Sequence, residues 1–240
     1  HVVDNWKICL GYATGEYVIC MGDDDKLLPN CLEEYSKLIK RYPNIGLLHG
    51  WTEIINENSQ VVKLTNHRCE YESAISLMWH RKHAYELQFI GDFCFQRKWL
   101  QENKGFYNLP LAWGSDDISA YIGASKNGVA NTQVPVFQYR VNSQTISNTG
   151  NIAEKMEALV LENNWKEEFL ASQKLTGNDD LSRNELLGEL PRVYQKKCGL
   201  TIALDLKSKS RFRIINWWKK RNNYNLQNST LIYAFMQSFK

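Results

Sequence analysis

Tyr17-Val18-Ile19-Cys20-Met21-Gly22-Asp23-Asp24-Asp25 is the stretch on which the reading of this chain turns. An apolar run of this length, with Gly15 before it and Gly22 after it, reads as a buried strand that sets three aspartates side by side at its C-terminal end. Open α/β sheets hold their ligands at that end of a strand. Adjacent carboxylates repel one another, most strongly where water is scarce, so a site that keeps them ionised supplies a cation. Oxygen ligands alone select a hard ion. Mg²⁺ or Mn²⁺ fits, held by one or two carboxylates with water and phosphate oxygens completing the shell. The same aspartates would also serve the start of the helix expected from Cys31 to Lys40, which has Pro29 near its first turn. Spacing leaves both uses open.

Outward from this stretch, strand and helix alternate. Trp6, Cys9, Leu10 and Ala13 share one face of a helix over residues 2 to 13. The helix after the aspartates stops before Pro43, which disfavours helical geometry at the residue ahead of it. Ile45 to Trp51, continuing to Ile55, reads as a second buried strand; Asn56 to Ser59 is a turn and Val61 to Leu64 its hairpin partner. A helix over about 71 to 83 precedes a bent strand, Leu87 to Phe95, in which Gly91 permits close backbone approach. A short helix around Lys98 to Asn103 follows. This order predicts an α/β layered domain.

A second acidic pair stands at Ser115-Asp116-Asp117, ahead of a helical run that Gly128 stops. Helix capping alone would account for it. Val134 to Val141 reads as an edge strand, because Pro135 has no N–H for a central ladder. Beyond residue 150 the pattern turns helical, with Ile152 to Leu170 and Leu181 to Leu190, and Pro191 is expected to break or kink the second helix. Asp179 and Asp180 suit a helix N-terminus. The expected domains are therefore residues 1–150 and a helical extension, 151–240.

The chain has 240 residues, 43% of them apolar and 23% charged, which suits an ordinary globular protein rather than a disordered one. Its net charge of +3 does not by itself imply a nucleic-acid partner. No apolar stretch is long enough to span a bilayer. Cys9, Cys20, Cys31, Cys69, Cys94 and Cys198 show no metal-ligand spacing, and a reducing cytoplasm is the simplest setting for them. His80 and His83 belong to a polar helix end.

Asn5-Trp6, Ala13-Thr14-Gly15-Glu16-Tyr17-Val18 and Gly22-Asp23-Asp24-Asp25-Lys26-Leu27-Leu28-Pro29-Asn30 together resemble the family-two glycosyltransferases of the GT-A fold. The resemblance spans about residues 4 to 147. It implies a GT-A-like mixed sheet with flanking helices and the inverting transfer of a sugar from a nucleotide-sugar donor, UDP-linked by preference, to a glycan or lipid-linked acceptor. Asp23 and Asp25 would hold the metal and Asp24 would contact the sugar or ribose, while Arg140 would pair with the diphosphate through charge-assisted hydrogen bonds. A surface arginine on an edge strand is the plainer alternative. Asp117 matches the position of the catalytic base, and Asp116 stands where many members have glutamate, so the base is one of these two. Gly91, Asp92 and Trp113 would line the acceptor side, and Asn142 to Ser147 would form the closing serine-containing loop. Bacterial surface-polysaccharide assembly at the cytoplasmic membrane face is the family-level expectation.

Family members begin with a nucleotide-holding strand-helix-strand unit that nothing ahead of Asn5 can supply, so the chain reads as a fragment of a longer enzyme, as one whose missing half comes from another polypeptide, or as a transferase relic without activity. A transferase-like scaffold that binds carbohydrate without chemistry is the competing reading. In the tail, Lys207, Lys209, Arg211, Arg213, Lys219, Lys220 and Arg221 surround Phe212, Ile214, Ile215, Trp217 and Trp218. Basic residues interleaved with aromatics suit a helix lying in an anionic membrane interface, and equally a helix packing its aromatics inward with its lysines outward.

Overall fold

In the computed structural model, residues 2–141 and 151–240 are described. Of these, 2–108 with 115–141 form one compact unit and 109–114 with 151–240 another. The closing loop expected at Asn142 to Ser147 lies outside the described residues.

The first unit runs α1 (Val2–Tyr12), β1 (Tyr17–Ile19), β2 (Lys26–Leu27), α2 (Cys31–Arg41), β3 (Leu47–Ile55), β4 (Val61–Leu64), β5 (Tyr71–Glu72), α3 (Ala74–His83), β6 (Phe93–Gln96), α4 (Arg97–Glu102), α5 (Ser115–Ala124) and β7 (Val129–Arg140). Its mixed sheet has the order β1-β6-β3-β7-β2, with β4 on β3 and β5 on β7. β3 is its axis, buried at both ends, parallel to β7 and antiparallel to β6. Because β1 is also antiparallel to β6, the strands β1, β3 and β7 all point the same way. α2 packs on the sheet with Cys31, Tyr35 and Leu38 inward, a spacing of four and three residues that keeps one helical face apolar. Glu33 and Glu34 in its first turn and Lys40 and Arg41 in its last suit the helix dipole.

Two strand expectations are corrected. β1 is a half-buried strand of three residues at the end of the sheet, with β6 as its one strand neighbour among the described residues. β7 is no edge strand: it lies between β3 and β2. Pro135 is tolerated because it sits opposite Trp51, where the register shifts on either side, and because β7's outer partners cover only its two ends. The missing N–H falls at an irregularity, so no ladder bond is lost.

The second unit contains α6 (Ile152–Ser172), α7 (Gly177–Ser208), α8 (Ile214–Lys220) and α9 (Asn228–Gln237), with short 3₁₀ turns at Arg211–Arg213 and Arg221–Tyr224. α7 continues through Pro191, which removes one helical hydrogen bond and does not break the helix as one of the two expected outcomes required. Asp179 and Asp180 stand in its first turn. The core joins Met156 and Leu159 of α6, Tyr194, Cys198, Ile202 and Leu206 of α7, Trp217 of α8, and Leu231 and Ala234 of α9. Trp217 donates through Nε1 to buried Asp205 at 2.9 Å, so in the tail this aromatic packs inward.

The buried carboxylate Glu162 holds α6 to α7. It pairs with Lys166 one turn on and accepts from Lys197 Nζ at 2.8 and 3.0 Å. Burial alone would raise its pKa, but the two ammonium groups outweigh burial and bring it from 4.5 down to about 2. A depressed carboxylate stabilises above its unfolded pKa, and that stability is lost as pH falls from 4.5 towards 2. Glu162→Gln should cost this unit about 3 kcal/mol at neutral pH and flatten the acid limb of its stability curve, read by urea unfolding at stepped pH.

Candidate functional site

The acidic loop lies between the two ends of the sheet. It leaves β1 at one end and enters β2, which pairs with Gln138 and Phe137 of β7 at the other. Asp23, Asp24 and Asp25 therefore ride across the carboxyl ends of β1, β3 and β7, where an open sheet leaves its crevice.

One side chain anchors the loop. Arg140, the last residue of β7, donates through Nε to the Asp24 carbonyl at 3.0 Å. Its Nη1 donates to the carbonyls of Asn56 and Glu57 at 2.8 and 3.1 Å, and its Nη2 to Ser59 Oγ at 3.1 Å. The Arg140 backbone N–H donates to Asp25 Oδ1 at 3.0 Å. The arginine expected to meet a diphosphate is thus engaged by the chain's own turn and loop, and it acts here as a clamp.

Within the loop, Asp23 is exposed while Asp24 and Asp25 are half-buried. A methyl group placed on Gly22 would meet Asp25 Oδ2 at 3.0 Å and Asp24 Oδ1 at 3.1 Å, so these two oxygens face one point that glycine leaves open. Two carboxylate oxygens on one point fit the protein's share of a Mg²⁺ or Mn²⁺ shell. The fit falls on Asp24 and Asp25, rather than on the Asp23 and Asp25 pair expected from sequence. Among the described residues, the three aspartates do not place three ligand atoms within 4.8 Å of one another. Burial raises the Asp25 pKa and the Asp24 charge adds to this, against the Arg140 and Gly22 N–H groups that lower it. A carboxylate held above its ordinary range in this way is one that a cation would relieve.

The second acidic pair reaches the same place from α5. This helix returns through a turn with Asn127 and Gly128 at positive φ, 60° and 80°, directly into β7. Gly128 suits that backbone because a Cβ there would be strained. Antiparallel return puts the α5 N-terminus, with Asp116 and Asp117, beside the carboxyl end of β7. Tyr139 records the convergence: burial raises its hydroxyl pKa, and the charges of Asp25, Asp24 and Asp116 raise it further. Its ring stacks on Phe89, centroids 3.5 Å apart.

The two aspartates of the pair differ. Asp117 is buried, and its Oδ1 accepts from Arg81 Nε at 3.0 Å and Gln88 Nε2 at 2.8 Å. Arg81 is held in turn by the carbonyls of Tyr85 and Glu86. Asp116 is raised to about 7, by burial first and then by the charge of Asp117. This is the behaviour of two like charges that share a site.

The residues expected on the acceptor side are placed differently. Asp92 is fully buried, its Oδ2 accepting from Thr52 Oγ1 and the Phe89 N–H at 3.3 and 3.2 Å, with His49 Nε2 at 3.7 Å. Gly91 is also buried, and a Cβ on it would lie 2.6 Å from Phe137 Cζ. Both serve packing. Trp113 belongs to the second unit, where Lys155 Nζ stands 4.6 Å from its ring centroid. Sequence reasoning gave Arg81 and Gln88 no role, since no motif marks them and Arg81 falls in the polar helix end; Tyr139 was marked only as the neighbour of Arg140 in a Tyr-Arg pair like the family's.

Residues 2–107 match the model of glycosyl transferase family 2. The matched stretch, from α1 past α4 with the acidic loop included, is similar to family-two glycosyltransferases. The crystal structure of S. aureus TarS 1-349 matches 99% of this chain and 69% of its own, with a TM-score of 0.55 and 10% sequence identity. At that identity the likeness is one of fold, and it agrees with a GT-A-like sheet followed by a helical part. None of the curated proteins matches the chain in sequence.

Arg140→Lys should loosen the clamp. One ammonium cannot span four acceptors. Hydrogen exchange at residues 22–25 and 56–59 should rise while that of β3 stays unchanged, with a stability loss of about 1–3 kcal/mol.

Proposed function

We propose that this chain transfers a sugar from a nucleotide-sugar donor, UDP-linked, to a hydroxyl of a glycan or lipid-linked acceptor in bacterial cell-surface glycan assembly. The observation that carries the reading is the meeting of two acidic clusters, Asp24 with Asp25 and Asp116 with Asp117, around Tyr139 at the carboxyl end of the parallel strands. The match of residues 2–107 to glycosyl transferase family 2 supports sugar transfer in general.

The chain's residues divide the work. Asp24 and Asp25 would hold Mg²⁺ or Mn²⁺, which when bound supplies Lewis-acid neutralisation of the departing diphosphate. Arg140 keeps that loop in place. The Asp116–Asp117 pair takes the proton from the attacking acceptor hydroxyl. Asp117, fixed by Arg81 and Gln88, keeps the pair oriented; burial first, and the Asp117 charge after it, raise the proton affinity of Asp116 to about 7. One displacement with one base inverts the anomeric centre.

The direct test is calorimetric titration with UDP and GDP, each with and without Mn²⁺, on the chain and on Asp25→Ala. Binding of UDP that requires Mn²⁺ and disappears in the variant is expected. Carbohydrate binding that ignores metal, with no nucleotide binding, would instead identify a binding module.

In sugar transfer, Asp116→Asn and Asp117→Asn should each lower the rate by about 10²–10⁴-fold. The pH profile of kcat/KM should rise through about 7 as Asp116 loses its proton. Any activity left in Asp117→Asn should show that inflection at lower pH, since the repelling charge is gone.

A further inference from the structure

The last helices carry a surface that sugar transfer does not use. From Leu206 to Lys240 the chain has eight lysines and arginines and no aspartate or glutamate, although the whole chain carries only +3. Asp205, just ahead, answers two of these cations, Lys209 at 3.3 Å and Arg213 at 3.0 Å. Lys219 and Lys220 are exposed at the end of α8.

Apolar groups are set among these charges. Ile214, Ile215, Trp218, Leu231, Ile232 and Phe235 line an open groove of about 540 Å³ between α8 and α9. Trp218 is 52% exposed and Ile232 62%, and beyond the groove Phe212 is 86% and Phe239 62% exposed. Neighbouring apolar groups left open to this extent mark an interaction surface. Two of the cations lie directly over the exposed rings: Arg221 is 4.3 Å from the centroid of Trp218 and Arg211 is 4.2 Å from that of Phe239. A separate pocket of about 320 Å³ is lined by Arg213, Asn216, Trp217, Lys219 and Lys220. One short helix therefore borders an apolar groove and a cationic pocket.

We propose that α8 and α9 seat on the surface of an anionic phospholipid bilayer, with the apolar side chains at the acyl boundary and the lysines and arginines at the phosphates. A phospholipid surface offers apolar and anionic partners in one plane, which is what this surface lacks. A second copy of the chain is disfavoured by charge, because a two-fold contact would set this cationic surface against itself. The seat is peripheral: among the described residues no helix is long and apolar enough to cross a membrane. The proposal is independent of the transfer chemistry.

Co-sedimentation of the full chain with vesicles of phosphatidylcholine alone, and of phosphatidylcholine with phosphatidylglycerol, tests it. Binding to the anionic vesicles, weakened by added salt, and little to the neutral ones is expected. Each basic residue at such a surface is worth about fivefold in partitioning, so Lys219→Gln with Lys220→Gln should lower it about 25-fold. Trp218→Ser should lower it as well, with circular dichroism unchanged in both variants because these side chains are exposed. Equal binding to both vesicles, no binding to either, or a double variant that binds like the original overturns the proposal. So does a concentration-dependent dimer in sedimentation equilibrium that Trp218→Ser dissolves, which would make a second copy the occupant.

Discussion

The arrangement of the candidate site depends on one guanidinium group. Arg140 satisfies carbonyls of the acidic loop and of the β3–β4 turn together, while its own backbone N–H meets the Asp25 carboxylate. Both segments are irregular, and irregular backbone has no ladder of its own to fix it. A planar group with donors in fixed directions supplies the missing constraint. With it in place, two half-buried carboxylates can be held facing a common point against their mutual repulsion, and Gly22 leaves that point open.

Behind the second acidic pair lies a buried polar chain. Asp117 accepts from Gln88, Gln88 accepts from Arg68, and Arg68 lies 4.1 Å above the ring of Tyr85. The Tyr85 hydroxyl donates to Glu72, which also receives Asn131 and meets His80. Burying so many polar groups in place of apolar ones sacrifices hydrophobic stabilisation, and each becomes tolerable only through its partner. The return is rigidity. Asp117 cannot swing, so its charge acts on Asp116 from a fixed place.

The sequence was read best where local rules and burial agree. The helix at Cys31, the strand from Leu47 and the hairpin to Val61 have apolar spacing, turn residues and proline stops that all point one way, and the structure keeps them. It was read worst where one residue was made to decide. Pro135 suggested an edge strand, but a register shift opposite Trp51 absorbs its missing donor. Pro191 suggested a break or a kink, and the helix is not broken, because the burial of Tyr194, Cys198, Ile202 and Leu206 beyond it outweighs one lost hydrogen bond. Asp92, which the family resemblance puts on the acceptor side, has a fully buried carboxylate that accepts from Thr52.

The sequence alone determined the main alternation of strands and helices, the two acidic clusters and the basic aromatic tail, because each is written within a few neighbouring residues; the two-residue strands Lys26–Leu27 and Tyr71–Glu72 exist only through their pairing with β7. The tertiary structure decided which of these meet. Convergence of Asp24, Asp25 and Asp116 on Tyr139 depends on strands pairing over long separations and on α5 returning antiparallel to β7, and chain closure over such distances leaves no local trace. The intrachain bonds of Arg140 depend on tertiary structure in the same way. Nothing local marks Asn56, Glu57 and Ser59 as its partners, because strand pairing alone brings them beside it.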